Sequence, residues 1–355
     1  MDPLRVRHGA GGPGTRIDGV LKVTGAAQYS AEFAPEGLVH GVIVGSAIAH
    51  GRVRRVDASA AEALSGVLAV FSPEHALPAA GALEQQGMFD RTLSLVSGRQ
   101  VNYVGQPVAL VVAETLEVAQ HAAALVTVDY DEEPGITDFD TAEVELPESF
   151  FGGPSRHVRG DPERGLDEAH VSVEETYTTP REHHTAMEPH ASVAVWEGSR
   201  LVVYDPAQGV LPSRDRIAQV VGIPAEDVRV VARFIGGGFG AKGSVWDHTP
   251  LAALAARELG RPVSVVLDRR QMFDLTGHRA RTAQRVTLGA KRDGALTLLH
   301  EAPIDEVCIT DTIPLPNGAR SFDDHPRLRV LSVAPLIAEA IVRVHEGRSV
   351  SELFR

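Results

Sequence analysis

The strongest constraint on this chain is the stretch Ile235-Gly236-Gly237-Gly238-Phe239-Gly240-Ala241-Lys242, with four glycines among five residues. A strand-like run, Val228 to Phe234, leads into it, and a helix-like run, Pro250 to Leu259, follows. Glycine at that density marks backbone that takes positive φ or approaches another group too closely for a Cβ. Such a loop can aim several N–H donors at one anionic or oxo group. It can equally be a turn that serves only the fold, and spacing alone leaves both open. Two nucleotide patterns are excluded. Ala241 precedes Lys242 and Gly243 follows it, which does not fit a phosphate-binding P-loop. No acidic residue stands at the distance that a dinucleotide G-x-G-x-x-G requires.

With 355 residues there is room for two or three domains and a sizeable core. A net charge of −13 argues against nucleic acid or an anionic membrane as the main partner. No apolar run reaches the length of a membrane-spanning helix, and Met1 to Gly14 lacks the apolar centre of a signal peptide, so a cytoplasmic location is expected. The single cysteine, Cys308, excludes an internal disulfide and a Cys-ligated iron–sulfur cluster. It lies in an apolar strand and reads as an inert buried thiol.

Taken in order, Val20 to Val23 predicts a short strand between Gly19 and Gly25. Further strands are predicted at Leu38 to Ile48, Val53 to Asp57 and Val67 to Phe71, with Ser59 as N-cap of a short helix to Leu64. Val108 to Val112 reads as a buried strand. Thr115 caps a helix carrying Val118, Ala122 and Leu125, and Val126 to Tyr130 completes a strand–helix–strand closing a small α/β domain near residue 130. Asp131 to Pro147 reads as linker. Beyond it come a strand at Ala169 to Thr179 and a hairpin, Ser192 to Trp196 with Leu201 to Tyr204. Pro212 starts a helix that ends at Gly222; a second helix stops at Gly260, and a strand spans Pro262 to Leu267.

Several of these residues form an ordered series. Thr178-Thr179-Pro180-Arg181, Met187-Glu188-Pro189-His190-Ala191, Trp196, Asp205-Pro206-Ala207-Gln208 and the glycine loop together resemble the molybdenum-cofactor subunit of the xanthine dehydrogenase/aldehyde oxidase family. Arg16-Ile17-Asp18, Lys22-Val23-Thr24-Gly25 and Gly105-Gln106-Pro107-Val108 resemble its α/β-hammerhead domain, and Leu267-Asp268-Arg269 with Thr276-Gly277-His278-Arg279 continue the likeness. It covers residues 10–299. Residues 303–355 are instead similar to the C-terminus of ribose-phosphate pyrophosphokinase, as Val307 to Thr310-Asp311-Thr312, Leu328 to Leu331 and an apolar helix face of Leu336, Ile337, Ala340, Ile341 and Val344 illustrate. The resemblance implies an α+β chain: a hammerhead domain over 1–135, the first part of a molybdopterin-binding domain over 136–299, and a β–α tail over 300–355.

The resemblance also implies a molybdenum–molybdopterin cofactor, an aldehyde or N-heterocycle as substrate, and iron–sulfur and FAD subunits as electron-transfer partners. On that reading Gln208 donates its amide N–H to an oxo ligand, where isolated it would read as a cap on the Pro212 helix. The Phe239 backbone N–H acts from the other side, and Gly237, Gly238 and Gly240 admit the cofactor to close approach. The family's catalytic glutamate lies in a later region that the resemblance does not reach, so no catalytic residue is assigned. Gly243 stands where xanthine-oxidising members carry glutamate. Adjacent His183 and His184 face opposite ways in extended chain, so no metal ligand is assigned. His190 with Glu188 is read as positioning loop backbone, Lys242 as a solvated lysine, Thr310-Asp311-Thr312 as a strand-end turn, and Asp268-Arg269-Arg270 as a strand-end ion pair.

The leading reading is a truncated molybdenum-hydroxylase large subunit fused to a kinase-like tail. A non-catalytic chimera or pseudoenzyme is the competing class, and a ribose-phosphate diphosphokinase fragment a weaker third. The first part lacks the half it would pack on, so exposed apolar surface is expected around Pro250 to Leu267.

Overall fold

A computed structural model describes residues 16–79, 91–142, 147–150, 153–156, 160–291, 307–310 and 328–331. The N-terminal region supplies α1 (Gly19–Val23), β1 (Val39–Gly45), β2 (Gly51–Asp57), α2 (Ser59–Glu62), β3 (Val67–Phe71), β4 (Gln100–Val101), β5 (Pro107–Ala113), α3 (Leu116–Leu125) and β6 (Thr127–Glu132). Next come β7 (Ser149–Phe150), β8 (Gly153–Pro154), α4 (Pro162–Asp167) and β9 (Val171–Thr179). Then β10 (Ala191–Glu197), β11 (Arg200–Tyr204), α5 (Val210–Val221), β12 (Val228–Val231), α6 (His248–Leu259), β13 (Val263–Val266) and α7 (Arg269–Leu275) follow. The last described strands are β14 (Thr282–Ala290), β15 (Val307–Thr310) and β16 (Leu328–Leu331). The mixture of helices and strands is α+β. Two compact units result: Met1–Glu143 with Arg181–Arg281, and Val144–Pro180 with Thr282–Arg355.

The first unit is built on a seven-stranded mixed sheet in the order β12-β11-β10-β13-β1-β5-β3. It takes strands from both sides of residue 135. The join is the parallel pairing of β1 with β13, in the register Val39↔Val263, His40↔Ser264, Gly41↔Val265. Gly41 is required there, because a Cβ would come within 2.8 Å of Val265 Cγ2. Strand β5 is buried along its whole length. Leu110 and Val112 enter one hydrophobic core and Ala109 and Val111 another. Burial on both faces is why its sequence is a continuous apolar run and not an alternation.

Helix α6 packs in the first core, with every residue from His248 to Ala256 buried. Val263 and Val265 of β13 are equally buried in the sheet. This overturns the expected exposed surface at Pro250 to Leu267, because the segment's apolar faces meet β1 and β10 of this same unit. Strand β6 lies outside the large sheet and pairs with β2 in a separate β4-β2-β6 sheet, so β5 and β6, though joined by α3, belong to different sheets.

Three local readings are corrected. Val20 to Val23 is helical, not extended: Lys22 Nζ lies 2.7 Å from Asp18 Oδ2 at i,i+4, and Thr24 Oγ1 donates to the Val20 carbonyl at 2.7 Å. No neighbouring strand among the described residues takes this segment's backbone groups, whereas a helical turn satisfies them internally. Ser59 is the first residue of α2 and not its cap; its N–H and hydroxyl both donate to Asp57 Oδ1. Helix α5 begins two residues before Pro212, with Gly209 as N-cap, and ends as expected at Gly222 in the left-handed region. Thr115 does cap α3, its hydroxyl accepting from the Val118 N–H.

In the second unit β9 and β14 form a nine-residue antiparallel ribbon with Val173↔Leu288 in register. Register places Val171, Val173 and Tyr177 on one face with Val286 and Leu288, all exposed. Strands β15 and β16 pair in parallel, Val307↔Leu328. Cys308 and Thr310 fall in β15; Asp311, Thr312 and the apolar segment Leu336 to Val344 lie outside the described residues.

Leu251 is fully buried in α6, whereas Leu211 of α5 is 61% exposed. Leu251→Ala is expected to cost about 2–5 kcal/mol of unfolding free energy, and Leu211→Ala less than about 0.5 kcal/mol. Denaturant midpoints measure both, and equal shifts would contradict this assignment of the core.

Candidate cofactor site

The glycine loop leaves β12 and reaches α6 through a short 3-10 turn, Ala241–Gly243. Its glycines serve two different ends. Gly237 and Gly240 have φ of 95° and 101°, which a side chain rarely tolerates. Gly236 and Gly238 are required by proximity: a Cβ would lie 2.5 Å from Glu188 Cβ in the first case and 2.6 Å from Gln208 Cδ in the second. Phe239 sits between them at φ 53°, in the left-handed region at a cost of roughly 1–2 kcal/mol. Its side chain is largely exposed.

Gln208 faces this loop. Its Oε1 accepts from the N–H of Gly240 at 3.0 Å and of Lys242 at 3.2 Å. Both facing groups are donors, so the amide must present its oxygen to the loop, and its NH2 is left without a partner among the described residues. The Gln208 N–H donates to the Lys242 carbonyl at 2.7 Å. The side chain therefore does not cap α5, whose N-cap is Gly209. The N–H groups of Gly237, Gly238 and Phe239 likewise donate to nothing among the described residues.

Lys242 is not a solvated lysine. It is 2% exposed, and its Nζ donates to Glu188 Oε2 at 2.7 Å and to the Glu188 carbonyl at 3.0 Å. Burial lowers its pKa while Glu188 opposes that shift. Glu188 Oε2 also accepts from Gly236 N–H at 2.7 Å, and the Glu188 N–H donates to the Gly236 carbonyl at 3.0 Å. His190 approaches the Ala241 carbonyl with Nε2 at 3.4 Å. Glu188 and His190 thus hold loop backbone, as the sequence suggested.

Beneath them lies a polar cluster that sequence reasoning missed. Asp205 Oδ1 accepts from Ser192 Oγ at 2.6 Å and Thr249 Oγ1 at 3.0 Å, with His248 Nε2 3.3 Å from that threonine hydroxyl. All four residues are buried. Burial raises the Asp205 carboxyl and drives His248 well below the ordinary imidazole range. A signal was present: His248-Thr249 opens a helix whose next residues are wholly apolar. Asp247, also buried, accepts from the N–H of Ser94 at 2.6 Å and Leu95 at 3.1 Å, pinning backbone where Leu95 and Val96 take φ of 43° and 52°.

Asp268 makes no ion pair with the arginines that follow it. It caps α7 in a reciprocal box with Gln271, while Arg269 donates to the carbonyls of Ala186 at 2.6 Å and Met187 at 3.0 Å. His183 meets the Phe273 and His278 rings in tilted contacts, and no group of three possible metal ligands occurs among the described residues.

Residues 145–308 match the molybdopterin cofactor-binding domain, and residues 24–134 match the α/β-hammerhead domain of aldehyde oxidase and xanthine dehydrogenase. The aldehyde oxidoreductase molybdenum-binding subunit PaoC of Escherichia coli K12 is 41% identical over 309 residues, covering 85% of this chain and 40% of that one. These residues belong to the aldehyde oxidase/xanthine dehydrogenase family. The xanthine dehydrogenase molybdenum-binding subunit of Escherichia coli O157:H7 is another relative, 32% identical over 79% of this chain and 39% of its own. Among solved structures, the aldehyde oxidoreductase of Desulfovibrio gigas superposes with a TM-score of 0.68 at 28% identity, over 79% of this chain and 33% of that one. The chain thus spans about 40% of the length of these two curated family relatives. Residues 280–355 match a phosphoribosyl synthetase-associated domain, in line with the tail resemblance.

The site suits the family's cofactor. The glycines leave the loop without side chains where Gln208 and Glu188 approach, and the unspent donors are those an oxo- or phosphate-bearing group requires. Gln208 and the N–H groups of Gly237 to Phe239 would hold it.

Burial, followed by the charge of Lys242, lowers His190 from 6.5 to about 4. Between those values the unfolded chain binds a proton that the folded chain does not. Stability is therefore lost as pH falls from 6.5 to 4, by roughly 3 kcal/mol in full. His190→Gln should flatten the urea-derived stability slope across that window; an unchanged slope would remove His190 as its source.

Proposed function

We propose that this chain forms one wall of a molybdenum–molybdopterin site in a hydroxylase acting on an aldehyde or N-heterocycle. The observation that carries the reading is the fixed Gln208 amide, whose oxygen is consumed by two loop N–H groups so that its NH2 is left to donate. When bound, the cofactor supplies the oxygen-transfer and electron-accepting chemistry. The chain's own residues bind and orient: Gln208 and Phe239 N–H donate, Gly238 makes room for the Gln208 side chain, and Gly237 and Gly240 supply the positive φ the loop needs. The general base is assigned to none of them. Glu188, the carboxylate that touches the loop, spends Oε2 on Gly236 and Lys242, and its Oε1 is buried. A buried, paired carboxylate is poorly placed to take a proton from substrate. Gly243 brings no side chain to the loop's end, which favours an aldehyde over a purine.

Iron–sulfur and FAD subunits are the electron-transfer partners on this reading, and the cytoplasm its compartment. Among the described residues no helix is long and apolar enough to cross a membrane. A second reading, a non-catalytic chimera of a partial hydroxylase subunit and a kinase-like tail, is favoured by the match of residues 280–355 to an unrelated domain. Molybdenum and pterin content of the purified chain separates the two. Near-stoichiometric content supports the first, and folded protein with neither supports the second. Under the first, Gln208→Ala should lower molybdenum content by about tenfold or more; unchanged content would count against the role given to Gln208.

A further inference from the structure

Lys242 is joined to the glycine loop at three levels. Its N–H donates to Gln208 Oε1 at 3.2 Å, its carbonyl accepts from Gln208 N–H at 2.7 Å, and its ammonium binds Glu188 at 2.7 Å. Glu188 in turn holds the other end of the loop, exchanging two hydrogen bonds with Gly236. One buried ion pair therefore closes the loop from Gly236 to Lys242. Between those ends the N–H groups of Gly237 to Phe239 are unspent, and two of the three residues are held at positive φ. A strained segment with unspent donors keeps its shape only if its ends are fixed. The ammonium itself is enclosed, with a side chain 1% exposed, and is committed to Glu188, so it is not placed to bind a cofactor phosphate.

We propose that Lys242 is a positioning residue for the cofactor site: paired with Glu188, it fixes both ends of the loop and, through its own peptide groups, the orientation of the Gln208 amide. This rests on the molybdenum-site reading above. A merely structural ion pair would behave differently, because replacing a buried pair by apolar residues of similar volume is often neutral for stability. Stability and site geometry can thus be separated.

Three full-length variants test it. Lys242→Met removes the ammonium. Glu188→Gln keeps an oxygen that can accept from Gly236 and Lys242. The double variant Lys242→Met with Glu188→Leu replaces the pair with apolar groups. Thermal midpoint, molybdenum content, and amide exchange of the 236–242 peptide in metal-free protein are measured on each. Glu188→Gln is expected to keep molybdenum within about threefold of the parent. The double variant is expected to recover the parental midpoint yet lose molybdenum by about tenfold or more. Loop exchange should quicken by about tenfold or more in the double variant and in Lys242→Met, but not in Glu188→Gln. Molybdenum content that follows the thermal midpoint across all three variants would overturn the proposal. If the parent holds no molybdenum, the molybdenum-site reading fails, and exchange in the metal-free chain still decides the positioning role: equal rates in parent and Lys242→Met sink it. If the double variant does not fold, the contrast in loop exchange between Lys242→Met and Glu188→Gln decides the same point.

Discussion

The pairing of β1 with β13 is the contact on which the first unit depends. Three residues of an N-terminal strand, Val39 to Gly41, lie in parallel register with Val263 to Val265. Through them the hammerhead strands and the strands that flank the glycine loop become one sheet. Helix α6 then has a continuous apolar surface to cover, which is why all of its residues from His248 to Ala256 are buried. The loop is suspended between an edge strand of that sheet, β12, and the start of that helix. Its position is a product of the whole unit.

Much of this was legible in the sequence. β5 announced itself as a doubly buried strand, Gly222 and Gly260 as helix stops, and the Glu197-Gly198-Ser199-Arg200 turn as a hairpin. Each signal is local: an apolar run, a left-handed glycine, a two-residue turn. The spacing of Gln208 from the glycine loop was legible only through resemblance, since nothing in the intervening residues says that the two meet.

What could not be read was set by partners distant in sequence. Lys242 is flanked by Ala241 and Gly243, which carry no burial signal, and its carboxylate partner Glu188 is far upstream. Asp268 looked like an ion-pairing residue because two arginines follow it, yet capping α7 satisfied it first. Val20 to Val23 carried strand propensity, but with no strand beside it among the described residues a local ion pair and internal hydrogen bonds prevailed. In each case a backbone or tertiary requirement outranked the composition of the neighbourhood.

The same β1–β13 pairing sets a timetable for the chain. Its two strands are separated by about 220 residues of intervening polypeptide. Strand β1 emerges from the ribosome long before its parallel neighbour exists, and closing so long a loop carries an entropic cost incurred before the pairing contributes. Until residues 263–265 arrive, one edge of β1 presents unpaired backbone groups. The other edge of β1 meets β5, and β5 meets β3, so those pairings are available earlier. Completion of the sheet is coupled to the synthesis of the region that carries the cofactor loop.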